Sequence, residues 1–380
     1  MSRYMKKRYQ GFASYTPGEQ RNDGTYVKLN TNESPFPPAP KVLAALEGML
    51  PGSSPDGSLS GFEALRLYPD PTGRTLKEKL AALHGVAPEN IFLSNGSDDI
   101  LNFAMMAFVD DDEAVAFPEI TYSFNDVIAD LHGVKVNLIP MRPDPHAGFS
   151  DKTGDELFID PADYFGLNQN IIIPNPNAPT GTVLTPGEIE EIIRTNPDHV
   201  VLIDEAYADF GAESVIPLTK KYDNLLVSHT FSKYASFAGG RLGYAVGSPG
   251  LIRDLMTIQY STNPYNINRL TMTLAEATVD ADAYYRANAE KIRATRARVT
   301  GELERMGFEV IPSLANFVFA KHQSIPGRTI YEEMLRRFVL IRHFDNPKIT
   351  DYNRISIGSD EQMDIFLERL RDVLRESDSK

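Results

Sequence analysis

Seven short apolar runs constrain the fold of this chain more than any other feature of its sequence. Helical stretches such as "TPGEIEEIIRTN" separate several of the runs, which are "NIFLS", "EAVAF", "KVNLIP", "NIIIP", "HVVLID", "NLLVSHT" and "GYAVG". Parallel strands that are covered by helices on both faces have this continuous apolar character, often rich in valine and isoleucine. The pattern therefore predicts an α/β fold, with a large domain built on a mostly parallel, doubly wound sheet flanked by helices.

The pattern changes in the last third of the chain. The stretch 269–307 reads as one long helix with charged faces, and the apolar runs "FEVIPSLANFVFAKH", "FVLIRHF" and "NRISIGS" alternate with further helices. This alternation indicates a smaller α+β domain. We predict an N-terminal arm with part of the small domain at 1–44, a large cofactor-binding domain at 45–270 and a small C-terminal domain at 271–380. Residues 1–40 are expected to form an ordered arm without helix or sheet.

The composition disfavours several classes of function. Across 380 residues the formal net charge is −14, which disfavours nucleic acid and anionic membranes as partners. The chain has no cysteine, so disulfides, thiolate catalysis and cysteine-bound metals are excluded. The 7 histidines are scattered without an HExxH or HxH pair, which makes a zinc site an unfavourable interpretation.

Two further absences bear on where the protein acts. The opening stretch "MSRYMKKRYQGFASY" is basic but lacks the apolar segment of a secretory signal. No apolar run approaches the roughly 18 residues that a membrane span requires. We therefore expect a cytoplasmic protein that acts on small molecules, with neither nucleic acid nor a membrane as its partner.

Polar residues follow five of the apolar runs at the point where each run ends. The following segments are "NGSDD", "PEITY", "NPNAPTG", "EAY" and "FSK". Ligands of open α/β sheets bind outside the carboxyl ends of the strands, so these segments are expected to lie around one cleft. Each alone is an ordinary polar turn, but together they supply the set of groups that one cofactor, pyridoxal 5'-phosphate, requires.

The chemistry of pyridoxal 5'-phosphate suggests a role for several of these residues. A lysine amine condenses with the cofactor aldehyde, and Lys233 in "FSKY" is the candidate. The ring withdraws electrons only while its pyridine nitrogen is protonated, so a buried carboxylate must face it, and Asp204 suits this role. Tyr207 is a candidate for the ring oxygen and Tyr122 for stacking on the ring. A helix N-cap for Asp204 and plain core packing for Tyr122 remain alternatives.

The cofactor phosphate needs backbone N–H groups at the start of a helix together with a cation. The segment Gly96-Ser97-Asp98 opens a predicted helix and supplies the first of these. Ser232 and Arg241 flank the lysine and supply a hydroxyl and a guanidinium group. The small residues of "ASFAGG" allow the loop to bring the arginine back to the phosphate.

These segments together resemble a known family. The run "TFSKYASFAGGRLGY", with "NPNAPTG", "IDEAYADF" and "LNTNESP", resembles the fold type I pyridoxal-phosphate aminotransferases. Within that family the resemblance is closest to the histidinol-phosphate aminotransferases, through "SYTPGEQ", "LYPDPTGRTLKEKLA", "NPYNINRLT", "LANFVF" and "VLIRHFDNPKITDYNRISIGSDEQM". The motifs extend from residue 15 to residue 363 and so cover nearly the whole chain.

The resemblance implies a role for each matching residue. It implies that Lys233 binds the cofactor covalently and moves the substrate proton, while Asp204 and Tyr207 hold the ring. The residues implied around the cofactor are Ser97, Asp98, Tyr122, Asn177, Thr230, Ser232 and Arg241. The resemblance also implies an obligate homodimer whose active sites lie at the subunit interface, in which Tyr68 reaches the cofactor phosphate of the neighbouring subunit. The residues implied in the substrate pocket are Tyr15, Asn32, Asn316, Arg342 and Arg354.

The resemblance also implies a reaction. It is the transfer of the amino group between L-histidinol phosphate and 2-oxoglutarate, which gives imidazole-acetol phosphate and glutamate in histidine biosynthesis. The resemblance implies that Arg354 takes the glutamate carboxylate and, with Arg342, the substrate phosphate. An aromatic amino-acid aminotransferase and a threonine-phosphate decarboxylase of the same fold remain alternatives, because both would share the cofactor site.

The sequence departs from the family pattern in three places. Ala178 stands where the family usually has asparagine before "PTG", so either Asn177 takes over the contact to the ring oxygen or that contact is weakened. Leu67 stands where an arginine often precedes "YPD". The loop 51–62 is longer than expected, which bears on the local dimer contact.

Two other classes of function lack their motifs. A nucleotide-binding dehydrogenase needs a G-x-G-x-x-G turn after its first strand, and this sequence has none there. A DNA-binding regulator that shares the aminotransferase fold needs a fused helix-turn-helix domain and a basic face. The chain has neither the length nor the charge for these additions.

Overall fold

The structure is a computed structural model that describes residues 2–21, 24–50, 61–143 and 157–378. Its strands are β1 (Val27–Lys28), β2 (Ile91–Ser94), β3 (Ala114–Pro118), β4 (Lys135–Ile139), β5 (Asn170–Pro174), β6 (Val201–Asp204), β7 (Leu225–Thr230), β8 (Gly243–Gly247), β9 (Phe308–Ile311), β10 (Phe317–His322), β11 (Val339–Leu340), β12 (Arg342–His343) and β13 (Tyr352–Ser356). Its α-helices are α1 (Pro40–Glu47), α2 (Arg74–His84), α3 (Ser97–Phe108), α4 (Phe124–His132), α5 (Pro186–Thr195), α6 (Pro249–Thr262), α7 (Arg269–Val279), α8 (Asp282–Arg305), α9 (Gly327–Arg336) and α10 (Asp360–Asp378).

The seven apolar runs form one sheet in the described part of the chain, in the order β2-β8-β7-β6-β5-β3-β4. The pairs from β7 to β4 are all parallel, whereas β8 runs antiparallel to both of its neighbours. The predicted α/β class with a mostly parallel sheet is therefore confirmed. Because β2 points the same way as β7, the polar segments after five strands meet at one edge of the sheet.

Helices cover both faces of this sheet, which explains why its central strands are apolar without alternation. In β5, Ile171 and Ile173 pack into one buried cluster with Ile189 of α5, and Ile172 packs into the opposite cluster with Phe103 of α3. Every residue of β5, β6 and β7 is buried. Both faces of the sheet therefore need apolar side chains.

A second, antiparallel sheet has the order β12-β13-β10-β9 in the described residues. In its register Arg342 lies directly opposite Arg354, so these two arginines lie on neighbouring strands. Buried side chains of α8, α9 and α10 form its core together with Phe317 of β10. The domain boundaries given above remain a prediction.

Two local expectations differ from the structure. The arm contributes a strand, because Val27 and Leu29 donate backbone hydrogen bonds to the segment that carries β11. The stretch that reads as one helix is two, and the chain turns at Asp280 between α7 and α8. Asp280 forms ion pairs there with Lys41 at 3.3 Å and with Lys79 at 2.5 Å. The helix boundary thus coincides with a tertiary contact, which periodicity alone does not show.

The described residues include no helix with both the length and the apolar character needed to cross a membrane.

Candidate active site

A cavity of about 400 Å³ opens at the carboxyl ends of the central strands, between the two sheets and the N-terminal arm. Its size is within the range of small-molecule sites. Most of the residues predicted from the sequence line it: Tyr15, Asn32, Ser97, Asp98, Tyr122, Asp204, Tyr207, Thr230, Ser232, Lys233, Arg241, Arg342 and Arg354. The structure thus brings together residues that lie up to 339 positions apart, as the distance in sequence from Tyr15 to Arg354 shows.

Lys233 follows β7 and extends into this cavity. Its Nζ donates a hydrogen bond of 2.9 Å to the backbone oxygen of Thr31, and it lies 5.8 Å from the ring centroid of Tyr207. No carboxylate forms a salt bridge with this amine in the described part of the chain. A single neutral acceptor leaves the amine accessible to a carbonyl compound in the cavity.

Asp204 is the last residue of β6, and only 5% of its surface is exposed. Its Oδ1 accepts a hydrogen bond of 2.6 Å from the hydroxyl of Ser228 on the neighbouring strand. It does not serve as a helix N-cap, because the next helical turn begins after Tyr207. Burial raises the pKa of this carboxyl to about 6, against the lowering effects of Ser228 and His229. A cationic partner in the cavity would stabilise the ionised form, which suits a protonated pyridine nitrogen.

A chain of hydrogen bonds through Asn32 holds Tyr207 in place. Its hydroxyl accepts a hydrogen bond of 3.0 Å from Asn32 Nδ2. Asn32 itself has φ of +58°. Its backbone nitrogen donates a hydrogen bond of 2.9 Å to the Ser356 hydroxyl, and that hydroxyl donates one of 2.8 Å to Asn32 Oδ1. Asn316 Nδ2 donates to the Asn32 backbone oxygen at 2.9 Å. Asn316 therefore positions Asn32 from behind the cavity wall, although it was expected to line the pocket.

The amino end of α3 forms an anion cradle with the loop after β7. No side chain caps this helix, and its first residues, Ser97 and Asp98, line the cavity. Arg241 Nη1 donates to Ser232 Oγ at 3.3 Å, and its Nη2 lies 3.2 Å from Asp98 Oδ2. Gly96 has φ of +89°, and a Cβ there would lie only 2.7 Å from Arg241 Nη2. The missing side chain at this glycine is what allows the guanidinium to approach the helix.

Tyr122 and Thr230 complete the wall around the cradle. Tyr122 donates a hydrogen bond of 3.1 Å to Asp98 Oδ1, and its ring meets the ring of Tyr15 edge to face at 6.2 Å. Burial raises the pKa of Tyr122 well above its ordinary value. The Thr230 hydroxyl accepts a hydrogen bond of 3.1 Å from the Ser232 backbone nitrogen. Hydroxyls, a guanidinium and free helix N–H groups are the donors that a phosphate monoester requires.

The paired arginines form the opposite wall. Arg354 donates to the Asn30 backbone oxygen at 3.1 Å, and its buried Nε has no hydrogen-bond partner among the described residues. Its guanidinium lies 5.3 Å from the ring of Phe317, and Arg342 lies 5.5 Å from the ring of Phe344. Burial lowers the pKa of Arg354. A half-buried cation whose buried Nε donor is unused calls for an anionic ligand.

The carboxylate of Asp345, three residues after Arg342, is paired with Arg328 rather than with Arg342. Neither Arg342 nor Arg354 forms an ion pair with a carboxylate in the ranges that the structure describes. Both guanidinium groups are therefore available to the cavity.

Two more predicted site residues lie away from the cavity lining. Asn177 is fully buried, and its side-chain amide is already hydrogen-bonded within the protein. Its Nδ2 donates to the Thr180 hydroxyl of its own loop at 3.0 Å and to the Ile120 backbone oxygen after β3 at 2.9 Å. Its Oδ1 accepts a hydrogen bond of 3.0 Å from the Thr121 hydroxyl. Ala178 lines the cavity in its place. Tyr68 is 75% exposed and stacks on the ring of Tyr265 at 4.4 Å. Residues 51–60 of the long loop lie outside the described residues.

Several lining residues were not predicted, among them Thr31, Asp126 and Phe344. Phe344 stands two positions after Arg342, and the period of two along a strand offers a signal for it. Asp126 lies in the first turn of a helix, a common place for acidic residues, so the sequence offers no separate signal for a site. The Thr31 contact uses a backbone oxygen, which no residue pattern could reveal.

Comparisons with known proteins identify the family to which the chain is similar. The sequence model of the family "Aminotransferase class I and II" matches residues 24–370. A histidinol-phosphate aminotransferase of Brachyspira hyodysenteriae is 42% identical over 99% of this chain and 100% of its own length. A histidinol-phosphate aminotransferase 2 of Dechloromonas aromatica is 40% identical over 98% of this chain and 99% of its own.

Solved structures share the fold. The histidinol-phosphate aminotransferase of Sinorhizobium meliloti, solved in complex with pyridoxal-5'-phosphate, superposes with a TM-score of 0.78 at 23% identity, covering 92% of this chain and 91% of that one. The histidinol-phosphate aminotransferase of Clostridium acetobutylicum superposes with a TM-score of 0.78 at 22% identity, covering 92% of this chain and 99% of that one. These likenesses support the fold type I architecture. From its sequence and its fold together, the chain belongs to the family of class I and II aminotransferases.

Proposed function

We propose that this aminotransferase uses pyridoxal 5'-phosphate to transfer the amino group between L-histidinol phosphate and 2-oxoglutarate, giving imidazole-acetol phosphate and glutamate. The observation that carries the substrate is the arginine pair of the small sheet. Arg342 and Arg354 lie opposite each other in register and both line the cavity without a carboxylate partner in the described residues. A phosphate dianion can engage two guanidinium groups, and glutamate can present a carboxylate to the same pair.

The residues of the cavity fit the cofactor at each of its polar groups. The cradle of Ser97, Thr230, Ser232 and Arg241 would hold the phosphate, and Asp204 would face the pyridine nitrogen. The bound cofactor supplies an aldehyde for the amine and a ring that withdraws electrons from the substrate carbon.

The catalytic steps assigned to this chain are proton transfers and positioning. Lys233 Nζ would release the cofactor to the substrate amine, and it would then move the proton from the Cα of the amino donor to the cofactor. In the second half-reaction it would move a proton the opposite way, from the cofactor to the Cα of the new glutamate. Tyr207, held by Asn32, would donate a hydrogen bond to the ring oxygen. Asn177 is left out of this proposal because its amide is already bonded within the protein.

A direct test uses the purified enzyme with added pyridoxal 5'-phosphate. Histidinol phosphate and 2-oxoglutarate should give glutamate and imidazole-acetol phosphate in equal amounts, and omission of either substrate should stop both products. A protein that takes up no cofactor under these conditions would overturn the proposal at its first step.

The alternatives are less well supported. The relatives that match at about 40% identity over the whole chain are named histidinol-phosphate aminotransferases. The L-threonine-O-3-phosphate decarboxylase of Porphyromonas gingivalis is 21% identical and shares the fold, with a TM-score of 0.71. Nothing in the cavity specifically favours that reaction or an aromatic substrate, so neither is proposed.

We also propose that the enzyme works as a cytoplasmic homodimer whose active sites lie at the subunit interface. The support is the position of Tyr68, which is 75% exposed in the single chain and does not line its own cavity. A residue so placed could reach the cofactor phosphate of a second subunit. The absence of cysteine agrees with a reducing compartment.

Tyr68→Phe tests this contact. If the hydroxyl donates to a phosphate across the interface, its removal should weaken cofactor retention by about 1.5–3 kcal/mol, the value of a hydrogen bond to a charged group. The measurement is a titration of the apo-enzyme with pyridoxal 5'-phosphate, followed by absorbance. Tyr4→Phe, at another exposed tyrosine, is the control and should titrate like the wild type. A fully active monomer in solution would argue against the interface site.

Gly243→Ala tests the phosphate cradle. A Cβ at Gly243 would lie 2.6 Å from the backbone carbon of Gly96 and 2.6 Å from the backbone nitrogen of Ser97, so the start of α3 must move. We expect the free energy of unfolding to fall by about 1–3 kcal/mol through overpacking, and the affinity for pyridoxal 5'-phosphate to fall with it. Gly239→Ala is the matched control, because nothing lies within 4 Å of a Cβ there. Equal cofactor affinity in both variants would contradict the cradle.

A further inference from the structure

The carboxylates that line the cavity differ in how their charge is balanced. Asp98 lies 3.2 Å from Arg241, Glu119 is paired with Lys348 at 2.8 Å, and Asp204 accepts a hydrogen bond from Ser228 at 2.6 Å. Asp126 lines the same cavity and is exposed to it, and it has neither a hydrogen bond nor an ion pair with any residue that the structure describes. Among the described residues, Asp126 is therefore the cavity carboxylate whose two oxygens accept no hydrogen bond from the protein.

Asp126 and the arginine pair lie on different walls. Asp126 is the third residue of α4, which packs on the large sheet, whereas Arg342 and Arg354 belong to the small sheet. The cavity thus presents two cations from one wall and, from the other, a carboxylate without a partner among the described residues. A ligand that suits it carries an anion at one end and a hydrogen-bond donor or a cation at the other.

Histidinol phosphate has this polarity. Its phosphate is an anion, and its imidazole ring always carries at least one N–H donor and becomes a cation near its pKa of about 6.5. Glutamate has a carboxylate at its far end and no such donor. Phenylalanine has a ring of similar size without any polar hydrogen.

We infer that Asp126 accepts a hydrogen bond from the imidazole N–H of the substrate and thereby selects the imidazole ring over other side chains. The inference rests on the proposed function. It adds a specificity residue on the large sheet to the anion site on the small sheet. It also gives a reason for a carboxylate in a cavity whose substrates are both anionic.

A structural explanation for Asp126 must be separated from this one. An acidic residue in the first turn of a helix stabilises the helix through its dipole. Asp126 does not cap α4 by a hydrogen bond, since neither its side chain nor that of Ser123 bonds to the free N–H groups there. A purely helical role would change stability and affect both amino donors alike, so the discriminating quantity is the ratio of the two half-reactions.

The experiment uses the holoenzyme and its Asp126→Asn variant. The half-reactions with histidinol phosphate and with glutamate are followed separately by the absorbance of the cofactor, and kcat/KM is obtained for each. We expect the ratio of kcat/KM for histidinol phosphate to kcat/KM for glutamate to fall about tenfold or more, mainly because KM for histidinol phosphate rises. The reason is that a charge-assisted hydrogen bond is lost in the half-reaction with histidinol phosphate only. Asp126→Glu, which keeps the charge, should recover part of the ratio.

Asp130→Asn is the matched control, since Asp130 lies on the same helix, is exposed and does not line the cavity. It should leave the ratio at its wild-type value. The inference is overturned if the wild-type enzyme turns over histidinol phosphate and Asp126→Asn keeps the kcat/KM ratio of the two donors within twofold of wild type. That outcome leaves the proposed function intact. A wild-type enzyme that does not turn over histidinol phosphate overturns the proposed function itself.

Discussion

Lys233→Ala is expected to lose transamination by a factor of at least about 10²–10⁴, the usual contribution of a positioned acid–base group. The variant should keep its fold, because within the described residues the Lys233 amine makes a single hydrogen bond, to the Thr31 backbone oxygen. The variant should still bind pyridoxal 5'-phosphate through the cradle and Asp204, but borohydride should no longer link the cofactor to the chain. Mass spectrometry of the reduced wild type should place that link on Lys233.

Lys221→Ala is the control for this experiment. Lys221 is an exposed lysine paired with Glu190 at the surface, and its loss should leave turnover unchanged. A Lys233→Ala enzyme that retains a tenth or more of the wild-type rate would show that another group moves the proton.

The arginine pair should give the second large effect. Arg354→Ala should reduce both half-reactions by about 10- to 150-fold, the equivalent of a lost charged hydrogen bond worth about 1.5–3 kcal/mol. Arg342→Ala should reduce the half-reaction with histidinol phosphate more than the one with glutamate, because the phosphate dianion uses both guanidinium groups. The two rate constants are measured in single turnovers.

Arg328→Ala controls for a general loss of positive charge near the small sheet. Arg328 is paired with Asp345 at the surface, so its removal should affect neither half-reaction. Equal, small losses in both half-reactions for Arg342→Ala would move the anion site to Arg354 alone and would weaken the case for a phosphate-bearing substrate.

The sequence predicts most of this site because the residues follow predictable strands. Lys233 and Asp204 come directly after, or at the end of, apolar runs that can only be buried strands, and parallel strands bring their carboxyl ends to one edge. The arginine pair was predictable for a related reason, since Arg342 and Arg354 lie in two apolar runs of one small sheet.

The remaining features depend on contacts that no local pattern encodes. Asn316 and Asn177 both appear in motifs of the site, yet tertiary hydrogen bonds turn the first into a support for Asn32 and hold the second within its loop. The strand at Val27–Lys28 and the turn at Asp280 likewise depend on distant partners. Side-chain direction and partner choice are set by packing, whereas strand order and strand ends are set by the pattern of apolar runs.

The most direct test of the central claim is a competition among amino donors. Equal concentrations of histidinol phosphate, phenylalanine and threonine phosphate are given to the enzyme with 2-oxoglutarate, and the consumption of each donor is followed by mass spectrometry. The account predicts that histidinol phosphate is consumed first, with glutamate formed in equal amount and no carbon dioxide released from threonine phosphate. Preferential consumption of phenylalanine, or decarboxylation of threonine phosphate, would contradict it.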